Sequence, residues 1–95
     1  GGTTPSGFDC SGFVQYVYAQ MGISIPRVTY DQQAACTPVS LVSLQPGDLV
    51  FWGYSAYHVG IYIGNGQFVH APAPGQSVKI QSYSEYPYES AGRII

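Results

Sequence analysis

Charge is scarce in this sequence. Lys and Arg number three and Asp and Glu five among 95 residues, a net charge of −2 with both histidines neutral. So few cations cannot neutralise a phosphate backbone, which excludes nucleic acid as a partner. No apolar run approaches the roughly 18 residues of a membrane span. No internal repeat and no low-complexity tract occurs, and 95 residues hold one hydrophobic core, so a single domain is expected. A monomer is expected as well. Little charge alongside many Tyr, Ser, Gln and Gly residues fits a secreted, extracellular domain. The chain carries no signal peptide and begins abruptly at Gly1-Gly2, as a piece of a longer secreted precursor would. Cysteine is nearly absent too, with only Cys10 and Cys36. In a secreted protein a pair suggests a disulfide, which would consume both thiols. If Cys10 instead stays free, Cys36 is an odd thiol, buried or paired with another molecule.

What is there centres on Gly7-Phe8-Asp9-Cys10-Ser11-Gly12-Phe13-Val14. Asp9 is a good N-cap, and Phe8 and Phe13 flank it as a hydrophobic staple. Cys10 is then the first helical residue, where the positive end of the helix dipole favours a thiolate. A small buried cysteine would look the same at this level.

The helix is expected to run from Cys10 to about Met21, with Cys10, Phe13, Val14, Val17 and Met21 on one face and Gly22 ending it. Thr29-Tyr30-Asp31-Gln32 has the form of a capping box and should open a short helix to about Ala35. Residues 37–43 read as irregular. From Leu44 the period changes to that of strands: 49–52, 58–63, 67–71, 77–81 and 92–95, with a tyrosine-rich loop at 83–89. Helices followed by an antiparallel meander make an α+β domain with its helices on one side of a sheet.

Both histidines fall in one hairpin, His58 at the start of its first strand and His70 in its second. Side chains alternate along a strand, so the turn decides whether the two share a face. A two-residue loop at Asn65-Gly66 would set Ile61 opposite His70 and send the imidazoles to opposite sides. A three-residue loop at Gly64-Asn65-Gly66, with Gly66 left-handed in a G1 bulge, sets Gly60 opposite His70. His58, Gly60, Tyr62, Phe68 and His70 then share one face. That register is expected, with the shared face meeting Cys10 and Gly60 leaving room for the helix. A cysteine, a base and a group to orient the base are the parts of a thiol nucleophile site.

Asp9-Cys10-Ser11-Gly12-Phe13-Val14, Pro26-Arg27, residues 44–51 (LQPGDLVF), residues 58–64 (HVGIYIG) and Phe68-Val69-His70-Ala71 resemble, in order and spacing, the NlpC-type papain-like cysteine endopeptidases of bacterial cell walls. The resemblance covers nearly the whole chain. It implies a papain-like fold and cleavage of peptidoglycan stem peptides, usually between γ-D-glutamyl and the diamino acid, with no cofactor. By it Cys10 is the nucleophile, His58 the general base and His70 the residue that orients it. Asp9 and Ser11 line the substrate's N-terminal side, beside their capping role, and Arg27 is expected in a salt bridge or helix contact. Trp52, Tyr54, Tyr57 and the loop 72–75 are candidate cleft walls, with Trp52 and Tyr57 as substrate-binding residues; ordinary packing is the alternative for each. The family also carries a helix and a cleft-facing tyrosine before the Gly-Gly. They lie outside this chain, so its first subsite is expected to be incomplete.

Three other functions fit parts of the pattern. A non-catalytic wall-binding module would share the fold. A structural zinc site could use Cys10, His58 and His70, but no close-spaced ligand pair of the zinc type occurs, so no metal is expected. A thiol amidase or acyltransferase would keep the same residues.

Overall fold

A computed structural model describes residues 7–53, 55–73 and 76–94. Helix α1 (Cys10–Gln20) and helix α2 (Thr29–Ala35) come first. Six strands follow: β1 (Thr37–Val39), β2 (Leu49–Trp52), β3 (His58–Gly64), β4 (Gln67–His70), β5 (Lys79–Ser82) and β6 (Ser90–Arg93), with a 3-10 turn at Leu41–Ser43. They form one antiparallel sheet in the order β1-β6-β2-β3-β4-β5.

The expected meander is real from β2 to β5, but two features depart from it. Residues 37–39 form a strand rather than irregular chain, and β6 returns to pair with both β1 and β2. This closure needs a glycine. A Cβ on Gly92 would lie 2.3 Å from the Cβ of Cys36, so only a residue without one lets β6 pass.

Asp9 caps α1 as expected, its Oδ1 accepting the Gly12 N–H at 2.7 Å. Phe8 and Phe13 meet with ring centroids 5.4 Å apart. At the other end Gly22 is left-handed (φ 78°), and the N–H groups of Gly22 and Ile23 donate to the carbonyls of Ala19 and Tyr18. The buried face is rotated from the expected stripe: Val14 and Tyr18 are buried, whereas Met21 is 56% exposed. The helix stops at Gln20, which leaves Met21 on the cap, and the Tyr18 hydroxyl donates to the Gly47 carbonyl, which draws its ring inward. Helix α2 has the expected bounds without the expected cap. Val28 takes the N-cap position and makes no side-chain cap bond, so Thr29 is one residue too far in for a capping box.

The sheet is covered on both faces, which is why every residue of β2 is buried. On one side Val14 and Tyr18 of α1 pack on Leu49, Phe51, Val59 and Ile61. On the other, Val50, Trp52, Phe68, Tyr88 and Ala91 form a second cluster. Asp48, 2% exposed, accepts from Arg93 at 2.7 and 2.8 Å and ties β6 to the turn before β2.

The hairpin register is the expected one, reached by another route. Ile61 pairs with Val69 and Tyr62 with Phe68, which brings Gly60 to the level of His70. The loop itself has two residues, Asn65 and Gly66, both at positive φ (55° and 72°), the signature of a type I′ turn. The shift comes from a bulge between Tyr62 and Gly64.

Candidate active site

Cys10 lies at the first turn of α1, at the end of the sheet where β3 begins. It shares a cleft of about 290 Å3 with Asp9, Tyr57, His58, Ala71, Pro72, Ala73 and Tyr86. A larger cavity, about 390 Å3, lies between α1 and residues 22–25, but no cysteine, histidine or carboxylate lines it. Chemistry rather than size marks the site.

His58 and His70 are 6% and 0% exposed and share a sheet face. His58 Nε2 stands 2.7 Å from His70 Nδ1, and His70 Nε2 stands 2.7 Å from Gln81 Oε1. With its Nε2 engaged, His58 has Nδ1 as its remaining ring nitrogen. The face they share is not the one α1 packs on, which corrects the expected arrangement. It is the face of Trp52, Phe68 and Tyr86, whose rings lie 4.9–6.1 Å from one or both imidazoles. Cys10 and His58 therefore line one cleft at the strand's end rather than facing each other across the sheet. Nor does Gly60 make room for the helix. A Cβ there would crowd Phe68 and His70 at 3.2–3.3 Å, so its bareness admits those two side chains.

Burial, and after it the neighbouring His70, pushes the His58 pKa down to about 4. Burial also lowers His70, which the bond to Gln81 partly offsets and the charge of Lys79 reinforces. Both rings are thus held neutral. An unfolded histidine takes its proton near pH 6.5. Between that value and about pH 4 the unfolded chain binds the proton that folded His58 refuses, so stability is full above pH 6.5 and falls as pH drops toward 4. The loss from His58 is expected to be on the order of 3 kcal/mol. Urea unfolding at pH 7 and pH 4.5 reads the joint effect of the two histidines; equal midpoints would show that neither is held neutral.

Asp9, Ser11 and Arg27 form a second cluster. Arg27 donates to Asp9 Oδ2 at 2.8 Å and to Ser11 Oγ at 2.9 Å. Burial raises the Asp9 carboxyl, but the Arg27 hydrogen bond, the Gly12 N–H and the Arg27 charge outweigh it, so the net shift is downward. Arg27 thus has the expected salt bridge. Asp9 reaches the cleft, whereas Ser11, 6% exposed, is absent from its lining. Thr29 Oγ1 lies 3.5 Å from Cys10 Sγ, a contact the sequence did not flag.

The expected walls divide. Tyr57 is 65% exposed and lines the cleft. Trp52 does not. It is 2% exposed and stacks on Tyr86 with centroids 4.6 Å apart, so it backs the histidines from inside and does not line the cleft. Tyr86, from the loop read as irregular, supplies the wall instead. Pro72 and Ala73 contribute, while Tyr54, Pro74 and Gly75 lie outside the described residues. Among the described residues no three Cys, His, Asp or Glu side chains converge as metal ligands.

Both cysteines are free thiols. Burial, with the Asp48 charge adding to it, pushes the Cys36 pKa up to about 11. Cys10 opens on the cleft, so iodoacetamide at pH 7.5 is expected to label Cys10 at least tenfold faster than Cys36. Peptide mapping of a time course checks this, and equal rates would contradict it.

The NlpC/P60 family model matches residues 1–93, and the chain belongs to that family. It is 50% identical over 91 residues, 93% of this chain, to the murein DD-endopeptidase MepS/murein LD-carboxypeptidase of Escherichia coli. It is 49% identical over 89 residues, 90% of this chain, to Protein P54 of Enterococcus faecium. The chain spans 47% and 17% of those two relatives. Among solved structures, the NlpC/p60 domain of the peptidoglycan hydrolase SagA superposes with a TM-score of 0.91 at 46% identity, covering 97% of this chain and 81% of that one. RipD of Mycobacterium tuberculosis, described as a non-catalytic NlpC/p60 protein adapted to peptidoglycan binding, matches with a TM-score of 0.82 at 28% identity, covering 93% and 67%. The α+β, papain-like fold read from the sequence is therefore the fold observed. No helix among the described residues is long and apolar enough to cross a membrane.

Proposed function

We propose that this chain is a secreted cell-wall hydrolase, a cysteine endopeptidase acting as a monomeric domain on peptidoglycan stem peptides or muropeptides, and that it cleaves the γ-D-glutamyl–diamino acid bond. The observation that carries the reading is the buried His58–His70 pair, whose free Nδ1 belongs to the residue that shares a cleft with Cys10. Neutral His58 takes the thiol proton, and the sulfur attacks the scissile carbonyl. The Asp9 carboxylate occupies the Gly12 N–H and its carbonyl the Phe13 N–H, which leaves the first N–H groups of α1 for the oxyanion. The His58 imidazolium then protonates the leaving amine, and water releases the acyl group. His70 orients His58. Asp9, held ionised by Arg27, faces the substrate's N-terminal side, and Tyr57 and Tyr86 flank the scissile region.

Mass spectrometry of muropeptides of lysine and diaminopimelate type tests this. New fragments ending at D-glutamate are expected. Cleavage only at the D,D cross-link, the bond in the name of the E. coli relative, would replace the assigned bond. A non-catalytic wall-binding role is the second reading, favoured by the likeness to RipD. It predicts retention on wall sacculi and no fragments from either type.

A further inference from the structure

The chain of hydrogen bonds behind His58 has a direction, and one residue outside the cleft sets it. Gln81 sits on β5, where it pairs with Phe68, while His70 pairs with Lys79. Gln81 is therefore the diagonal neighbour of His70 on the same face, at a spacing that a long side chain bridges. Its Oε1 is the atom facing His70 Nε2, at 2.7 Å. An amide oxygen only accepts, so Nε2 of His70 carries the proton and Nδ1 of His70 is a bare acceptor. That acceptor takes the Nε2 proton of His58 at 2.7 Å, which leaves Nδ1 of His58 bare. Run the other way, the chain fails. A donor at position 81 would put the His70 proton on Nδ1, turn His58 Nε2 into the acceptor and place a proton on His58 Nδ1, which could then accept nothing from a thiol. Lys79, the direct cross-strand partner of His70, is a donor only and cannot serve.

We propose that Gln81 is a positioning residue that sets the tautomers of His70 and, through it, of His58, so that His58 presents a bare Nδ1 toward Cys10. This rests on the peptidase reading for its consequence in catalysis, though not for the proton positions themselves. The sequence offers no hint of it, because Gln81 lies on a strand in no recognisable motif.

Two measurements test it. Nitrogen-15 NMR of the Cys10→Ala protein at pH 7, with Gln81 intact, reads the tautomers without turnover. Both rings are expected to be protonated at Nε2 and bare at Nδ1; a proton on Nδ1 of either neutral ring would overturn the assignment. Gln81→Leu removes the acceptor and keeps a similar volume. Its kcat on muropeptide is expected to fall about tenfold or more at nearly unchanged KM, since a wrong tautomer leaves binding intact and removes the base. A folded Gln81→Leu protein with wild-type kcat would overturn the proposal. If that variant does not fold, the NMR spectrum with Gln81 intact decides. A chain that shows no hydrolysis at all would refute the peptidase reading and still leave the proton positions tested.

Discussion

Replacing Cys10 with alanine is expected to lower kcat/KM for muropeptide hydrolysis by roughly ten-thousand-fold or more, because the covalent route disappears with the sulfur. The fold should survive. Cys10 is only partly buried, and among the described residues its thiol's side-chain hydrogen-bond partner is the Thr29 hydroxyl at 3.5 Å, so the substitution opens little cavity. Unchanged thermal unfolding beside lost activity is the expected pair of results. Cys36→Ser should keep hydrolysis. Activity lost there, in a folded protein, would mean the nucleophile has been misassigned.

The histidines should separate. His58→Ala is expected to approach the Cys10→Ala loss, since it removes the group proposed to take and return the proton. His70→Ala should lose about one to two powers of ten less, because an orienting group acts through the base and is partly replaceable. Both imidazoles are buried beside Trp52 and Tyr86, so each truncation also carries a cavity cost. Rates must be compared with the folded fraction measured for each variant. A larger kcat/KM loss in His70→Ala than in His58→Ala would exchange their roles.

Much of this was legible because the relevant signals are local. Asp9 before Cys10 announces a helix start, and the spacing from His58 to His70 fixes a shared face once the bulge count is one. The sequence could not say whether that extra residue belongs to the loop or to the strand, since Gly64 and Gly66 both tolerate positive φ. What stayed hidden depends on contacts between distant segments. The run LVFW reads as a strand, but nothing in it tells that both faces are covered, so Trp52 looked like a cleft wall when it is the floor under the imidazoles. Tyr86 comes from a loop with no periodicity, yet it stands in the cleft. The return of β6 rests on the bare Cα of Gly92 beside Cys36, a long-range fit with no sequence signature.

The claim that Cys10 performs covalent chemistry assisted by His58 is met most directly by rapid-quench mass spectrometry of the protein with a muropeptide substrate. A transient adduct, equal in mass to the acyl half of the substrate, is expected on the peptide carrying Cys10, and none is expected in His58→Ala. Products forming with no adduct on any residue, or with the adduct on Cys36, would contradict it.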